Sequence, residues 1–392
     1  MQGAAVAGRA QGNGYDFSGV LADVAPVIAG ADLAICHLET PLTSPEGPFE
    51  GYPTFAVQPQ IVGALADAGY DTCSTASNHA LDAGFAGLVR TLDTLDAYGV
   101  GHTGTFRAEQ GSRRRTSRPS TGHVRIAHLA WTYGLKGIPE PAGQPWAVND
   151  FDPTVPQVEG MLAEAARARA AGAEVVIASV HCCTEYESDP GPTQTAIAGT
   201  LLASPDVDLV LGHHAHVVQP FERINGKGMV YGLGNHIAEQ DLPVTYDSVI
   251  ARFTFTRDPD RHHAVTTAEA ISTRIAPQGA VWPSFPPIPA IPPVNGSPKW
   301  SPAAAAPTPA WSSPTAEQPM IGSPLQTSRA SDGRTRFPPP SPALNAPLPA
   351  GTYTLSASRS LLGRGAMRRR EEVCVSMDLA DARPPRFEPS WI

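Results

Sequence analysis

The chain has 392 residues, of which 42% are hydrophobic and 17% charged, with 41 prolines and a formal net charge of −9. This length suffices for one large domain or two smaller ones, and the acidic balance argues against a nucleic-acid-binding protein, which carries a basic face. Since no run of about 18 apolar residues occurs, we predict no transmembrane helix, and the first residues lack the pattern of a signal peptide. The five cysteines are too few, and odd in number, for a disulfide scaffold, and they leave the redox compartment open.

Residues 1–276 alternate apolar runs of strand length with amphipathic segments, the pattern of a layered α/β domain. The predicted strands are ADLAICHLE (31–39), VRIAHLAWTY (124–133), AEVVIASVH (173–181), VDLVLGHH (207–214) and GMVYGLGNH (228–236). The predicted helices, each with apolar residues on one face, are IVGALADAGY (61–70), GFAGLVRTLDTLDAYGV (84–100) and PQVEGMLAEAARARAAGA (156–173). The basic stretch 112–124 is interpreted as an exposed loop.

Residues 277–350 differ in composition, because they hold 20 of the 41 prolines and only two acidic residues. Such a segment has too little periodic apolar character to offset the entropy of ordering, so we predict it to be disordered or polyproline-like. The final residues, 351–392, have room for a strand but no motif. This change in composition is compatible with a genuine tail and with a shifted reading frame, and the sequence leaves both open.

Polar residues gather where the predicted strands end. They are Glu39, His181, the run 212–216 (GHHAH) and the run 234–236 (GNH), joined by Asn78 and His79 before a predicted helix. In open α/β sheets, ligands bind outside the carboxyl ends of the strands. Imidazoles, an amide and a carboxylate that converge there suit a divalent metal better than a catalytic triad.

Each of these signals also has a plainer explanation. A single histidine at a strand end is more often packed than ligating, whereas three histidines within positions 213–216 are costly to bury without a function. Asn78 and His79 equally suit a helix N-terminus capped by Asn78, and both interpretations stay open. We interpret Cys182 and Cys183 as small packing residues in preference to soft metal ligands.

These segments resemble the poly-γ-glutamate capsule biosynthesis family of CapA type, a branch of the calcineurin-like metallophosphoesterase superfamily. The resemblance spans residues 15–256 and is carried by segments such as ADLAICHLETPLTSPEG, DAGYDTCSTASNHALDAG, EVVIASVHCCTEYESDPGPTQ and VDLVLGHHAHVVQPFERINGKGMVYGLGNH. It implies an α/β fold, a four-layer αββα sandwich, with two divalent metal ions (Mn, Fe or Zn) at the strand ends. It also implies an extracytoplasmic or cell-surface location and a link to capsule polymer synthesis or export machinery.

The resemblance also assigns roles to individual residues. The residues that match metal ligands are Glu39, Asn78, His181, His214 and His216. Position 214 is preferred over His213 because only 214 and 216 give the H-x-H spacing, and Glu39 takes the place of a carboxylate between the metals. His79 matches the acid that protonates the leaving oxygen. Asp82, three positions later on the same predicted helical face, would orient it.

The sequence departs from the family pattern at its start. Members usually begin with a strand ending in Gly-Asp and a further ligand, and no such pair precedes Glu39. We therefore expect an N-terminally truncated domain 1–276 without the first strand, whose central sheet has an open pairing edge or an unfilled slot. A start site placed too late and a genuine remnant both remain as explanations.

These observations lead to two classes of function. The first is a metal-dependent hydrolase of the phosphoesterase type acting in capsule or poly-γ-glutamate biosynthesis. The second is a non-catalytic scaffold subunit of a capsule synthesis or export complex, and an inactive truncated gene product is a third possibility. An enzyme requires divalent ions and His79, whereas a scaffold tolerates the loss of both.

Overall fold

The structure is a computed structural model. It describes residues 9–11, 14–109, 111, 120–121, 124–154, 156–238, 240, 242–257, 262–275, 281–283, 288–289, 299–300 and 370–378. All of these belong to one compact unit made of residues 1–307 and 368–392, and the second unit, residues 308–367, contains no described residue. Most of the predicted basic loop 112–124 and of the proline-rich segment 277–350 therefore lies outside the described residues.

The described strands and helices follow one another along the chain as an α/β pattern. The strands are β1 (Arg9–Gln11), β2 (Gly14–Asp16), β3 (Leu33–His37), β4 (Thr72–Ser74), β5 (Gly101–Thr103), β6 (Ser120–Thr121), β7 (Val124–Thr132), β8 (Val175–His181), β9 (Leu209–His213), β10 (Phe221–Ile224), β11 (Lys227–Val230), β12 (Asp247–Arg257), β13 (His263–Ile275), β14 (Val281–Pro283), β15 (Ile288–Pro289), β16 (Lys299–Trp300) and β17 (Arg370–Asp378). The helices are α1 (Ala25–Ile28), α2 (Ile61–Ala68), α3 (Gly84–Ala97), α4 (Glu159–Ala170) and α5 (Pro192–Ala203). Each predicted strand and helix overlaps an observed one, while α5, β12 and β13 were not predicted.

Two large sheets contain almost all of these strands. The first has the order β16-β10-β11-β9-β8-β7-β6, in which β7, β8, β9 and β11 run parallel. The second has the order β14-β13-β12-β17-β3-β4-β5, in which β17, β3, β4 and β5 run parallel and β12 and β13 antiparallel. The parallel strands of each sheet therefore place their carboxyl ends at one edge.

Side-chain alternation along the strands explains how the layers stack. In β8, Val175 and Ile177 belong to the apolar core between the two sheets, whereas Val176 and Ala178 face α4 and α5. In β3, alternate side chains likewise belong to the central core and to the layer of α1, α2 and α3. The result is an αββα sandwich, which confirms the predicted fold class. Among the described helices, none is long and apolar enough to cross a membrane.

The position next to β3 in the second sheet is occupied by β17. Val373 and Val375 of β17 stand opposite Leu33 and Ile35 of β3, and the other edge of β17 pairs with β12. The expected open edge or unfilled slot is therefore filled by a strand from the C-terminal segment 351–392. The run Glu-Val-Cys-Val alternates β-branched residues, which suits a strand between two neighbours.

Four of the five cysteines form disulfides. Cys36 and Cys73 are paired across β3 and β4, where the parallel register sets them side by side. Cys182 and Cys183 are joined to each other directly after β8. Cys182 lies in the apolar core and Cys183 packs against it, as predicted, and the disulfide adds a covalent link. The disulfide also removes both as thiolate ligands, because a disulfide sulfur carries no thiolate.

Candidate metal centre

Three histidines lie at the carboxyl ends of three strands, on the strand faces that are directed toward the central core. His37 of β3, His181 of β8 and His213 of β9 continue the rows that begin with apolar residues in the central core. The ring of His37 stacks on that of His213, with centroids 4.2 Å apart, and its Nε2 lies 3.0 Å from Nδ1 of His181. Its Nδ1 lies 2.7 Å from the hydroxyl of Ser74. The carboxyl edges of both sheets thus meet in a buried cluster of imidazoles.

A second group beside this cluster has the composition of a metal site. Glu39, His214 and His216 are buried and each brings one ligand atom to within 4.8 Å of the others. Both histidines adopt positive φ angles, 86° and 56°, which side-chain-bearing residues rarely adopt outside functional sites. They follow Gly212, where a Cβ would lie only 2.1 Å from the carbonyl oxygen of Tyr231. The close approach of β9 to Tyr231 therefore requires glycine at position 212, directly before the histidine run.

The two remaining predicted ligands are His181, which lies beside Glu39, and Asn78, which contacts His181. Nε2 of His181 lies 3.7 Å from Oε1 of Glu39 and 3.0 Å from the amide oxygen of Asn78. All five predicted ligand residues are therefore brought together, since the ring of His181 also lies 4.7 Å from that of His214, between centroids. A carboxylate, an amide and neutral imidazoles suit Mn, Fe or Zn, so the donor set fits the divalent ions expected from the sequence.

A hydrogen-bond chain fixes the ring of His216. Its Nδ1 lies 2.9 Å from the amide oxygen of Asn235, whose amide nitrogen in turn donates to Oε1 of Gln240 at 2.9 Å. Because an amide oxygen accepts, the hydrogen of His216 resides on Nδ1 and Nε2 keeps its lone pair. Such an outer partner orients a ligating imidazole and raises its basicity.

The pair His79 and Asp82 is in contact as predicted, but in a different local structure. Nδ1 of His79 lies 2.6 Å from Oδ2 of Asp82, which also accepts the backbone N–H of Phe55 at 2.8 Å. Both residues lie in turns, since α3 begins only at Gly84. The prediction that His79 and Asp82 share a helical face was therefore wrong, because turns before the helix bring them together. The alternative in which Asn78 caps the helix was wrong as well, because the helix begins six residues later.

The turn that carries Asn78 and His79 is tied to the segment that carries Glu39. The hydroxyl of Ser77 donates to the backbone carbonyl of Glu39 at 2.6 Å and accepts the N–H of His79 at 3.2 Å. A movement of Glu39 would therefore be transmitted through Ser77 to Asn78 and His79. This arrangement couples the position of the proposed acid to that of the central carboxylate.

Burial and the neighbouring imidazoles keep His181 in the neutral form. Burial lowers the pKa of His181 well below its usual value, and the neighbouring His214 and His37 lower it further. Burial also lowers the pKa of His128, in the same core, to about 3, and that of His236 to about 3. Neutral imidazole is the form that binds metal, so the environment prepares His181 for ligation.

The buried histidines predict a loss of stability in acid. A histidine has a pKa of about 6.5 in the unfolded chain, so between pH 6.5 and about 3 the unfolded state binds protons that His128 and His236 exclude. The contribution of these two neutral histidines to stability is fully present above pH 6.5. At pH 5, each of the two histidines should lower the free energy of unfolding by about 2 kcal/mol. Urea unfolding of metal-free protein at pH 7.5 and pH 5 measures this. His128→Gln should reduce the pH dependence, and an unchanged dependence in that variant would contradict the assignment.

Comparison with known proteins identifies the family. The sequence profile of the family described as bacterial capsule synthesis protein PGA_cap matches residues 1–240. The chain belongs to this family. PGA_cap proteins are part of the metallophosphoesterase-like superfamily, in agreement with the αββα sandwich and the ligand cluster at its strand ends.

Curated relatives of this PGA_cap chain have names that refer to capsule or polymer synthesis. The PGA biosynthesis protein CapA of Bacillus subtilis is 26% identical over 257 residues, which cover 65% of this chain and 66% of the relative. The capsule biosynthesis protein CapA of Bacillus anthracis is 26% identical over 195 residues, 50% of this chain and 46% of the relative. A "probable polyglutamine synthesis accessory protein" of Mycobacterium tuberculosis is 27% identical over 219 residues, 54% and 56% respectively. The chain thus spans from about half to about two thirds of the length of these relatives.

Sequence reasoning missed several residues around the PGA_cap centre. They are His37, Tyr133 and Glu185, whereas His213 was considered and set aside in favour of His214. The rings of Tyr133 and His214 are tilted by 46° with centroids 4.8 Å apart, and Oε1 of Glu185 lies 3.7 Å from Nε2 of His214. The signal for His37 was present in the sequence, because the alternation Leu33, Ile35, His37 places it in the inward-facing row. No comparable signal marked Tyr133 or Glu185, which reach the centre from loops.

Proposed function

We propose that this chain acts in the biosynthesis of a capsule or poly-γ-glutamate polymer as a metal-dependent hydrolase of the phosphoesterase type. The observation that carries the proposal is the convergence of Glu39, His214 and His216, with ligand atoms within 4.8 Å of one another in a buried setting. His181, which lies 3.7 Å from Glu39 and 3.0 Å from the amide oxygen of Asn78, would hold a second cation together with Asn78. The names of the relatives support the link to polymer synthesis.

A pair of divalent cations at such a centre supplies Lewis-acid stabilisation of an in-line phosphoester displacement. The chain itself would supply proton transfer and positioning. Because the carboxylate of Asp82 accepts from Nδ1 of His79, it fixes the tautomer and leaves Nε2 of His79 as the atom that exchanges a proton with the leaving oxygen. His79 is almost completely buried, so this proton is exchanged with little competition from bulk water.

The proposal is tested by metal binding of the complete chain. The wild-type protein, dialysed free of metal, should bind Mn²⁺ or Zn²⁺ in calorimetric titrations and then hydrolyse p-nitrophenyl phosphate. His214→Ala should weaken metal binding by at least about 10-fold, because it removes a ligand. Even substitutions of residues that only hydrogen-bond to a ligand lower metal affinity by about 10–100-fold. The exposed His262 provides a control, and His262→Ala should bind as the wild type does.

Two outcomes would decide against the enzyme. A wild-type chain that binds neither cation would overturn the proposed centre. A chain that binds them tightly but hydrolyses neither phosphate esters nor amide-linked glutamate oligomers would favour the scaffold subunit instead, in which the metal stabilises the fold.

A further inference from the structure

A short loop, residues 52–55, leads from the proposed acid to the surface of the protein. The ring of Phe55 lies edge-on against that of His79, with centroids 4.7 Å apart. The ring of Tyr52 follows at 6.5 Å from that of Phe55, and 45% of Tyr52 is exposed. The backbone N–H of Phe55 also donates to Asp82, the partner of His79, at 2.8 Å. Loop 52–55 is therefore fixed to the acid at its buried end and reaches solvent at its other end.

The side chain of Lys136 lies at the exposed end of loop 52–55. Its Nζ is 4.5 Å from the centroid of the Tyr52 ring and donates to the carbonyl oxygen of Pro53 at 3.1 Å. An ammonium has three hydrogen-bond donors, so two of them remain for a further acceptor. Among the residues that the structure describes, no aspartate or glutamate forms an ion pair with Lys136. The ammonium is therefore held in place while its charge lacks an anionic partner in this part of the chain.

The segment that carries Lys136 also reaches the metal centre. It follows β7, and its first residue, Tyr133, donates its backbone N–H to the carbonyl oxygen of His181 at 2.9 Å. The ring of Tyr133 lies 4.8 Å from that of His214, between centroids. The segment 133–136 thus runs from two proposed metal ligands to loop 52–55. Because this loop borders the acid, the ammonium of Lys136 lies on the side of the centre that His79 occupies.

The charge of the chain favours a cation at this place if the substrate is a polyanion. The formal net charge is −9, so the surface as a whole repels an anionic polymer. Bound metal ions would compensate the phosphoryl group that reacts, but not further anionic groups on the leaving part of the substrate. A leaving group whose oxygen meets His79 borders on Phe55 and Tyr52. A carboxylate or phosphate beyond these rings comes within reach of Lys136.

We propose that Lys136 binds an anionic group on the leaving part of the substrate, and that this contact selects anionic polymers. The group is a carboxylate, as in a γ-linked glutamate chain, or a phosphate, as in a phosphodiester polymer. The ring of Tyr52 holds the ammonium toward this group by a cation–π contact. The inference rests on the proposed function, because it concerns the substrate of the same centre. Lys136 is a specificity-determining residue in this role, because its contact lies outside the reacting atoms.

The test compares three esters with the metal-loaded complete chain. They are hexyl phosphate, the same ester with a carboxylate at the far end of the hexyl group, and the same ester with a phosphonate there as a phosphate that cannot be hydrolysed. The wild type should prefer at least one anionic ester by about 5-fold in kcat/KM, the size of one exposed charge contact. The preference should lie in KM and decrease with added NaCl, because salt screens exposed charges. The ester that is preferred distinguishes a carboxylate polymer from a phosphate polymer.

Three variants assign the preference to Lys136. Lys136→Met removes the charge and keeps an unbranched side chain over Tyr52, so the ratio of kcat/KM between the anionic ester and hexyl phosphate should fall about 5-fold. Lys136→Arg keeps the charge and should keep this ratio. Arg223→Gln removes an equal charge from β10 of the first sheet and should match the wild type.

Different results separate this inference from the proposed function. If Lys136 only fastens loop 52–55, Lys136→Met will slow all three esters alike, and the unchanged ratio would overturn the inference. Equal kcat/KM for the three esters in the wild type would overturn it as well, and both results leave the proposed function standing. If the metal-loaded wild type hydrolyses none of the esters, the proposed function fails and this inference fails with it.

Discussion

Replacement of His79 by alanine is expected to slow hydrolysis of an alkyl phosphate ester by about 10²–10⁴-fold, the usual contribution of a general acid. Metal content should be unchanged, because the side chain of His79 is held by Asp82 and the five proposed ligands are other residues. An ester with a nitrophenolate leaving group departs without a proton and should be slowed much less. The measurement is kcat for both esters with metal-loaded protein, together with elemental analysis of the same samples.

The neighbouring residue is the matched control for this experiment. Asn78→Ala removes the amide oxygen that lies 3.0 Å from His181, and it should lower metal occupancy and slow both esters alike. If His79→Ala loses metal as readily as Asn78→Ala, the division of roles between the two residues is wrong. If neither variant alters any activity, the scaffold function is favoured over the hydrolase.

The second large effect is expected in β17. Val375→Pro places a residue without an N–H group, and with a fixed φ, between Ile35 of β3 and Ala251 of β12. The loss of a ladder bond and the ring clash in a central strand should lower the free energy of unfolding by about 3 kcal/mol. Urea unfolding followed by circular dichroism measures the change.

The control for this substitution lies at the start of the same strand. Arg370 is the first residue of β17, paired with Thr256 of β12 but not with β3. Proline is tolerated at the first position of a strand, so Arg370→Pro should cost less than about 1 kcal/mol. Equal stability of Val375→Pro and the wild type would show that β17 does not hold the two halves of the sheet together in solution.

The elements that were predictable from the sequence are those with local apolar patterns. The strand ending at His181 and the helix 84–97 follow from runs and spacing that act over a few residues. The strand β17 could not be placed in this way, because its partners β3 and β12 are distant in the chain and its first residues are charged. The disulfide between Cys36 and Cys73 likewise depends on strand order, which is a tertiary property.

The residues of the metal centre also divide into those that a local sequence pattern predicts and those that depend on tertiary contacts. His214 and His216 were predictable because three histidines within four positions are costly to bury without a function. For His37, the sequence showed only its place in the alternating inward-facing row of β3, and its importance depends on contacts with His181 and His213 from the opposite sheet. The contact of His79 with Asp82 was predicted from helical spacing, and turns produce it instead.

The late position of β17 in the chain has a consequence during synthesis. More than a hundred residues separate Arg257, the last residue of β12, from Arg370, the first of β17. At about 5–20 residues per second, a ribosome needs on the order of 5–20 s to traverse this stretch. For that time the nascent chain exposes one unpaired edge each of β3 and β12, and these edges can pair with other chains. We expect messages that end before β17 to yield aggregates, and the full message to depend on chaperones that cover these edges until the last strand emerges.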